Sequence, residues 1–329
     1  MMLARMTKLM TATLGLMLAL AAGASAQQLI KWKHGLVSAK GDAGIYFMAI
    51  EKGYFKNYGL DVEFIELRGD ADVVRALLAD QVDSAEFSPG PALVANDRGA
   101  DIMIVGSSMI GYPYALFVRK DINSWAELNG KTFGVSAPGS TPDLIAREMI
   151  KRKGVDPNSI NIANVGGTTG RIKALAGGKI DATAASSEYV PEQEKLGIKA
   201  LGFAKDIVPE WPRFTIGVRK KVLEKQHADA AKFLAGYIEG LSYAMSHRDE
   251  TIALGAKITK ISASEPIFAA LFDEAAKGKY VSPTAEIPTD KLKWLAGVLL
   301  EAKKLSKPAD IPQYIDESVR ADALKLVKK

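Results

Sequence analysis

Three short stretches combine glycine with hydroxyl residues at points where a strand would hand over to a helix; the first two are candidates for holding an anion, although an ordinary tight turn would equally account for the second. Gly139-Ser140-Thr141-Pro142-Asp143 opens a helical pattern. Ser140 can cap it, Pro142 suits the first turn, and Asp143 follows Ser140 by three, as in a capping box. Capping alone accounts for the serine and the aspartate. The small residues before the turn add room for a ligand to reach free backbone N–H groups at the positive helix end. Gly166-Gly167-Thr168-Thr169-Gly170-Arg171 is a second glycine-rich turn with two hydroxyls, and Phe87-Ser88-Pro89-Gly90-Pro91 is a third, with a ring and a proline-started helix. Lys40, Arg68 and Arg171 stand in or beside such loops. They are candidates for full positive charge, the arginines through paired hydrogen bonds to a carboxylate or sulfonate. Rings at Phe87, Tyr112 and Tyr189 would wall an organic acid better than bare nitrate. The expected ligand is therefore a small organic sulfonate or carboxylate, with a neutral aromatic or pyrimidine solute as its competitor.

Catalytic constellations are missing from the same survey. There is no cysteine, no G-x-S-x-G elbow and no H-E-x-x-H pair, and neither glycine-rich turn ends in the Lys-Ser/Thr of a phosphate-gripping loop. Of the three histidines, His34 falls in the first strand pattern while His227 and His247 fall in late helical stretches. No enzyme activity, cofactor or metal site is expected. The 43 basic and 38 acidic residues are interspersed, and no basic block carries interleaved aromatics. Nucleic-acid binding therefore lacks its electrostatic footprint.

The elements that must position these loops alternate in the rhythm of βαβ units, which predicts an α/β protein with mostly parallel sheets. Strand patterns occur at 30–37, 62–67, 82–87 and 102–106. In the helical pattern 70–80, Val73 with Leu77 and Val74 with Leu78 make one apolar face. Similar helices are read at 140–153 and 169–175. The chain also resembles itself. Val37-Ser38-Ala39-Lys40-Gly41-Asp42 parallels Val135-Ser136-Ala137-Pro138-Gly139-Ser140 at an offset of 98, and the same slide aligns Gly69 with Gly167, Ala76-Leu77 with Ala174-Leu175, and Val82-Asp83 with Ile180-Asp181. Such a repeat implies two copies of one βαβαβ lobe. Its matched segments sit at strand ends, where open α/β sheets bind ligands. After Pro212 a strand at 214–218 is followed by helical stretches at 221–247, 265–277 and 290–305, expected to pack back on the first lobe.

At 329 residues and 48% hydrophobic the chain is long enough for two cores. Arg5 and Lys8 precede the apolar run 12–22, and Ala24-Ser25-Ala26 supplies a small-residue cleavage pattern. Residues 1–26 are read as a signal peptide removed on export, since the run is shorter than the roughly 20 residues of a spanning helix. Removing Arg5 and Lys8 lowers the net charge from +5 to +3. Without cysteine there is neither a disulfide nor a site for lipid attachment behind the leader, so the mature protein is expected free in the periplasm.

The ordered motifs Glu51-Lys-Gly-Tyr-Phe-Lys-Asn-Tyr-Gly-Leu-Asp-Val-Glu63, Ala76-Leu-Leu-Ala-Asp-Gln-Val-Asp83, Trp125-Ala-Glu-Leu-Asn-Gly-Lys-Thr-Phe-Gly-Val135, Ala137-Pro-Gly-Ser-Thr141 and Ala174-Leu-Ala-Gly-Gly-Lys-Ile-Asp181 resemble the solute-binding proteins of nitrate, taurine and alkanesulfonate ABC importers. The resemblance implies a two-lobed type II periplasmic-binding-protein fold, each lobe a mostly parallel sheet flanked by helices, with two crossover hinge strands near 112–118 and 214–218. Lobe I would comprise 27–112 and 217–329, and lobe II 113–216. Carried over position by position, the resemblance places Ser38, Ala39, Lys40, Gly41 and Asp42 at the ligand, together with Phe87, Ser88 and Pro89. It adds Met109, Ile110 and Tyr112 near the hinge. From the second lobe come Ser136, Pro138, Gly139, Ser140 and Thr141, then Gly167 and Thr168, then Ser187, Glu188 and Tyr189. Glu188-Tyr189-Val190-Pro191 departs from the acid-Pro-aromatic order of many relatives, which leaves the role of Glu188 open. The implied partners are a small-molecule ligand and a membrane permease, with the protein itself a monomer. The same superfamily holds thiamine-pyrimidine synthases, cytosolic enzymes that rely on histidine and a cysteine-rich segment; the leader and the absence of cysteine argue against that alternative. A sensory or docking role shares every feature with a transport role.

Overall fold

The computed structural model describes residues 28–38 and 40–327. The leader at 1–26 and Ala39 lie outside the described residues. Two five-stranded sheets carry the molecule, in the orders β2-β1-β3-β10-β4 and β7-β6-β8-β5-β9. The first holds β1 (Ile30–Val37), β2 (Leu60–Leu67), β3 (Ser84–Phe87), β4 (Ile102–Met109) and β10 (Phe214–Arg219). The second holds β5 (Tyr114–Arg119), β6 (Thr132–Val135), β7 (Asn161–Asn164), β8 (Ala182–Ser186) and β9 (Ile198–Phe203).

The offset of 98 maps one lobe onto the other. It carries the end of β1 at Val37 to the end of β6 at Val135, and the helix Asp70–Leu78 onto the helix Thr168–Ala176. The corresponding strands occupy the same places in the two sheet orders. In each sheet four strands run one way and one runs the other, namely β10 in the first and β5 in the second. The exceptions have one cause: each is the first strand after the chain crosses between lobes. The crossing delivers the chain at the loop-bearing end of the sheet, so the strand must run away from it. Accordingly Tyr114 at the start of β5 pairs with Ser186 at the end of β8, and Thr215 pairs with Phe87 at the end of β3. The crossings themselves are the segments between Met109 and Tyr114 and between Phe203 and Phe214, each just ahead of the strand named from the resemblance.

The long helix Lys220–Ser246 packs Phe233, Leu234, Tyr237 and Leu241 against Trp32, Ile45 and Met48 of the first lobe. That is where the late helices were expected. Helix Thr289–Glu301 departs from the expectation: Leu292, Leu295 and Leu299 share one apolar cluster with Leu93 and Ile104 of the first lobe and with Leu116, Leu144 and Trp211 on the second side. Its apolar stripe is wide enough to serve both lobes, and it fills the back of the groove between them. No helix among the described residues is long and apolar enough to cross a membrane.

Candidate functional site

Where the loops of the two sheets face each other, a buried polar cluster joins the lobes. Asp42 starts the helix Ala43–Glu51 and meets Arg213 of the return crossing, Oδ2 to Nη2, at 3.6 Å. Both side chains are removed from water. The Arg213 guanidinium also lies over the rings of Phe214 (4.1 Å), Tyr112 (5.1 Å) and Tyr114 (5.6 Å), and donates to the Tyr112 hydroxyl at 3.4 Å. Burial alone would lower its pKa, but the two tyrosines and Asp42 hold it well above the ordinary arginine value, so it stays charged. Beneath it, Glu86 accepts from the Tyr237 hydroxyl at 2.8 Å. Burial, aided by the Asp42 charge, pushes the Glu86 carboxyl up to about 7.

Glu188 reaches this cluster from the second lobe, on the 3₁₀ turn Ser187–Glu192. Burial, and then the Asp42 charge, pushes its carboxyl up to about 7 as well. Its Oε2 is buried without a hydrogen-bond partner. A side chain at Gly41 would stand 2.7 Å from that oxygen, so glycine is what lets the first-lobe loop lie under Glu188. The neighbouring Ser187 donates to Glu274 of helix Pro266–Lys277, which also attracts Lys205 at 3.8 Å.

The expected cations take different positions. Arg171 is 1% exposed. Its five N–H groups go to Thr183, Ser136, Gly166, Thr168 and Ala184, leaving none for a ligand. It braces the loops after β6 and β7 and does not supply charge to a solute. Arg68 faces water, 93% exposed and paired with Asp72 at 3.4 Å, outside the cluster. Lys40 does line the cluster with Ser38, Asp42 and Arg213. Ser38 is held in its turn by bonds from its amide and hydroxyl to the Leu67 carbonyl.

The expected rings also separate. Phe87 is buried in the first lobe's core among Val73, Leu77 and Ile102, the face its alternation in β3 dictates, so it does not wall the cleft. Tyr112 packs on Arg213, while Tyr189 bonds Thr169 at 3.1 Å. Met109 is core, accepting the Tyr46 hydroxyl on sulfur at 3.7 Å. Ile110 is half-buried, its carbonyl bonded by Lys291 at 2.8 Å. Gly167 is the extended residue before helix Thr168–Ala176, and Pro138 is exposed.

Beside the cluster lies a cavity of about 170 Å³. Ser88, Pro89, Gly90, Pro91 and Val94 wall it from the first lobe, Gly139, Ser140, Thr141 and Leu144 from the second, and Trp211, Leu295, Leu299 and Lys304 close it. Five residues singled out from the sequence thus surround one space. Trp211 links it to the cluster through Tyr112, ring centroids 6.3 Å apart. The local capping differs from the capping box. Ser140 accepts from the Ala137 amide at 3.3 Å, and Asp143 accepts from Gly139 at 2.6 Å and pairs with Arg147 at 2.7 Å. The Thr141 amide, first of the helix Thr141–Arg152, has no intrahelical acceptor. This geometry offers amide, hydroxyl and ammonium donors beside apolar walls, which is a means of holding a small amphipathic solute.

Sequence reasoning missed Arg213, Glu86, Trp211 and Lys304. Trp211-Pro212-Arg213 borders the crossing already suspected, and a bulky aromatic and a cation there were the available signal. Lys304 carries no motif.

A family profile described as NMT1/THI5 like matches residues 41–251, more than half of the chain. The formylaminopyrimidine-binding protein of Halalkalibacterium halodurans is 24% identical, over 63% of this chain and 63% of its own. Two solved structures share the two-lobed fold. The periplasmic aliphatic sulphonate binding protein SsuA from Escherichia coli gives a TM-score of 0.72 at 20% identity, covering 87% of this chain and 92% of that one. The periplasmic nitrate-binding protein NrtA from Synechocystis PCC 6803 gives 0.75 at 14%, covering 92% and 90%.

Proposed function

Because this chain belongs to the NMT1/THI5-like family, we propose that it is the extracytoplasmic solute-binding component of an ABC importer, taking a small organic anion between its lobes in the periplasm. The observation that carries the reading is the 170 Å³ cavity walled by residues of both lobes. A solute there makes its full set of contacts only while the lobes are together, so binding favours the closed arrangement over an open one. The hinge of this proposal is the pair of crossings at 109–114 and 203–214; the second enters the first lobe at Phe214, three residues ahead of the limit at 217 that the resemblance implies for lobes of 27–112 with 217–329 and 113–216. Closure presents a combined surface to a membrane permease, and the monomer suffices because one chain supplies every wall.

A carboxylate or sulfonate fits the free Thr141 amide and the Ser140 and Thr141 hydroxyls at a helix N-terminus. Binding rather than catalysis is favoured because no histidine stands at the cavity: His34 lies in the first lobe's core against Phe233, 4.7 Å between ring centroids. A thermal-shift screen of sulfonates, nitrate, carboxylates and pyrimidines tests the proposal, since a solute at 100 times its Kd adds about 2.7 kcal/mol. With the best hit, Ser140→Ala and Thr141→Ala are expected each to lose more than ~1 kcal/mol of binding by calorimetry. Unchanged affinity in both variants sinks the anion-at-helix-terminus reading.

One observation favours a second reading. The unpartnered Oε2 of Glu188, on a carboxyl pushed up to about 7, can donate as well as accept, which suits the amino and ring nitrogens of a neutral pyrimidine. The pyrimidine arm of the screen decides between the two.

A further inference from the structure

One wall of the cavity lies beyond the stretch that the family profile matches. Helix Thr289–Glu301 contributes Leu295 and Leu299, and the turn after it brings Lys304 over Gly139. Gly139 has φ of +76°, and a side chain there would displace the lysine amine. Glycine at 139 therefore serves two ends, the left-handed turn and the approach of the ammonium to the N-terminus of the twelve-residue helix Thr141–Arg152.

No carboxylate among the described residues pairs with Lys304. Asp143, in the first turn of that helix, is already engaged at both oxygens, by Arg147 and by the Gly139 amide. From the first lobe, Ser88 lines the same cavity; it is 2% exposed and its hydroxyl has no partner. An uncompensated ammonium, a helix N-terminus and an orphaned hydroxyl thus share a space otherwise walled by Trp211, Leu144, Leu295 and Leu299.

We propose that Lys304 is the specificity-determining residue of this cavity, selecting a monoanionic organic acid whose body is about the size of one aromatic ring. The proposal rests on the reading of the cavity as the solute site. The size follows from volume: 170 Å³ compares with the ~150 Å³ apolar cavity that accommodates benzene. The charge follows from the donors. One ammonium reinforced by a helix dipole balances one negative charge, whereas a second carboxylate would be desolvated among leucines. A neutral solute would leave the ammonium without a counter-charge, and an inorganic anion would leave the ring and leucine walls uncovered.

Benzoate and benzamide, alike in shape and different in charge, are the probes, titrated calorimetrically into the mature chain and into Lys304→Gln. The wild-type protein is expected to prefer benzoate by at least about tenfold. Lys304→Gln should lose about tenfold or more for benzoate and nothing for benzamide, while its unfolding temperature without ligand stays unchanged. Lys307→Gln, which removes the same net charge from an exposed position, should keep the preference. A preference that survives Lys304→Gln overturns the role of Lys304 and leaves the solute-binding reading standing. Equal wild-type affinity for the two probes overturns the charge assignment. Failure of both probes, with another solute from the screen bound, overturns the size assignment. Failure of every solute class overturns the solute-binding reading itself.

Discussion

Glu188 of the second lobe lies so close over Gly41 of the first that a methyl group at position 41 would stand 2.7 Å from its Oε2. The glycine leaves that carboxyl room between the lobes, and a side chain at 41 would have to push it aside. Gly41→Ala is therefore expected to hold the lobes apart without unfolding either. Solution scattering with saturating solute should show a larger radius of gyration than wild type, and solute affinity should fall about tenfold or more. Wild-type closure in this variant would show that the contact does not limit approach.

Glu188 also makes closure depend on pH. Its carboxyl is at about 7 when buried between the lobes, against an ordinary value of 4.5. The group whose pKa is raised takes up a proton on closing, so closure is most favourable below about pH 4.5 and weakens as pH rises to 7. Above 7 the penalty is constant, of order 3 kcal/mol for the full shift. Asp42, Lys40 and Arg213 are the charged groups facing it. Glu86 titrates in the same range but is bonded to Tyr237 inside the first lobe, so it affects unfolding more than closure. In Glu188→Gln the rise of solute Kd between pH 5 and 7 should flatten; an unaltered profile would assign the dependence elsewhere.

Arg213 and Asp42 are a buried pair, and removing one partner leaves the other charge without compensation. Arg213→Met is expected to destabilise the protein by about 3–5 kcal/mol. Asp42→Asn added to that variant should recover part of the loss. Urea unfolding of the four members of the cycle measures this, and strict additivity would mean the two groups do not interact across 3.6 Å.

Arg171 and Arg68 make a contrasting prediction. Arg171→Met removes five hydrogen bonds to buried or half-buried acceptors and should cost about 3 kcal/mol or more. Arg68→Ala, at an exposed pair, should change stability by less than about 0.5 kcal/mol and leave solute affinity untouched. A strong binding defect in Arg68→Ala with intact stability would place that cation in the site after all.

Much of the architecture was legible along the chain because its signals are local. Apolar runs of strand length, helices with i, i+4 pairing and the offset from Ser38 to Ser136 report the two βαβ lobes without reference to any distant contact. The glycine-hydroxyl turns do likewise, and seven of their residues surround the cavity. What a side chain touches is another matter. Arg171 and Arg68 both stand at loops in the sequence, yet one is spent on its own loops and the other faces water, a difference that depends on which face of each element turns inward. Lys304 reaches Gly139 only because a helix far along the chain wedges behind both lobes. Composition, periodicity and turn chemistry determined the two-lobed α/β scaffold and the loops at its strand ends. Tertiary packing alone decided which charges are neutralised, which are buried and which remain free for a solute, because Coulomb and desolvation energies depend on neighbours that sequence distance does not record.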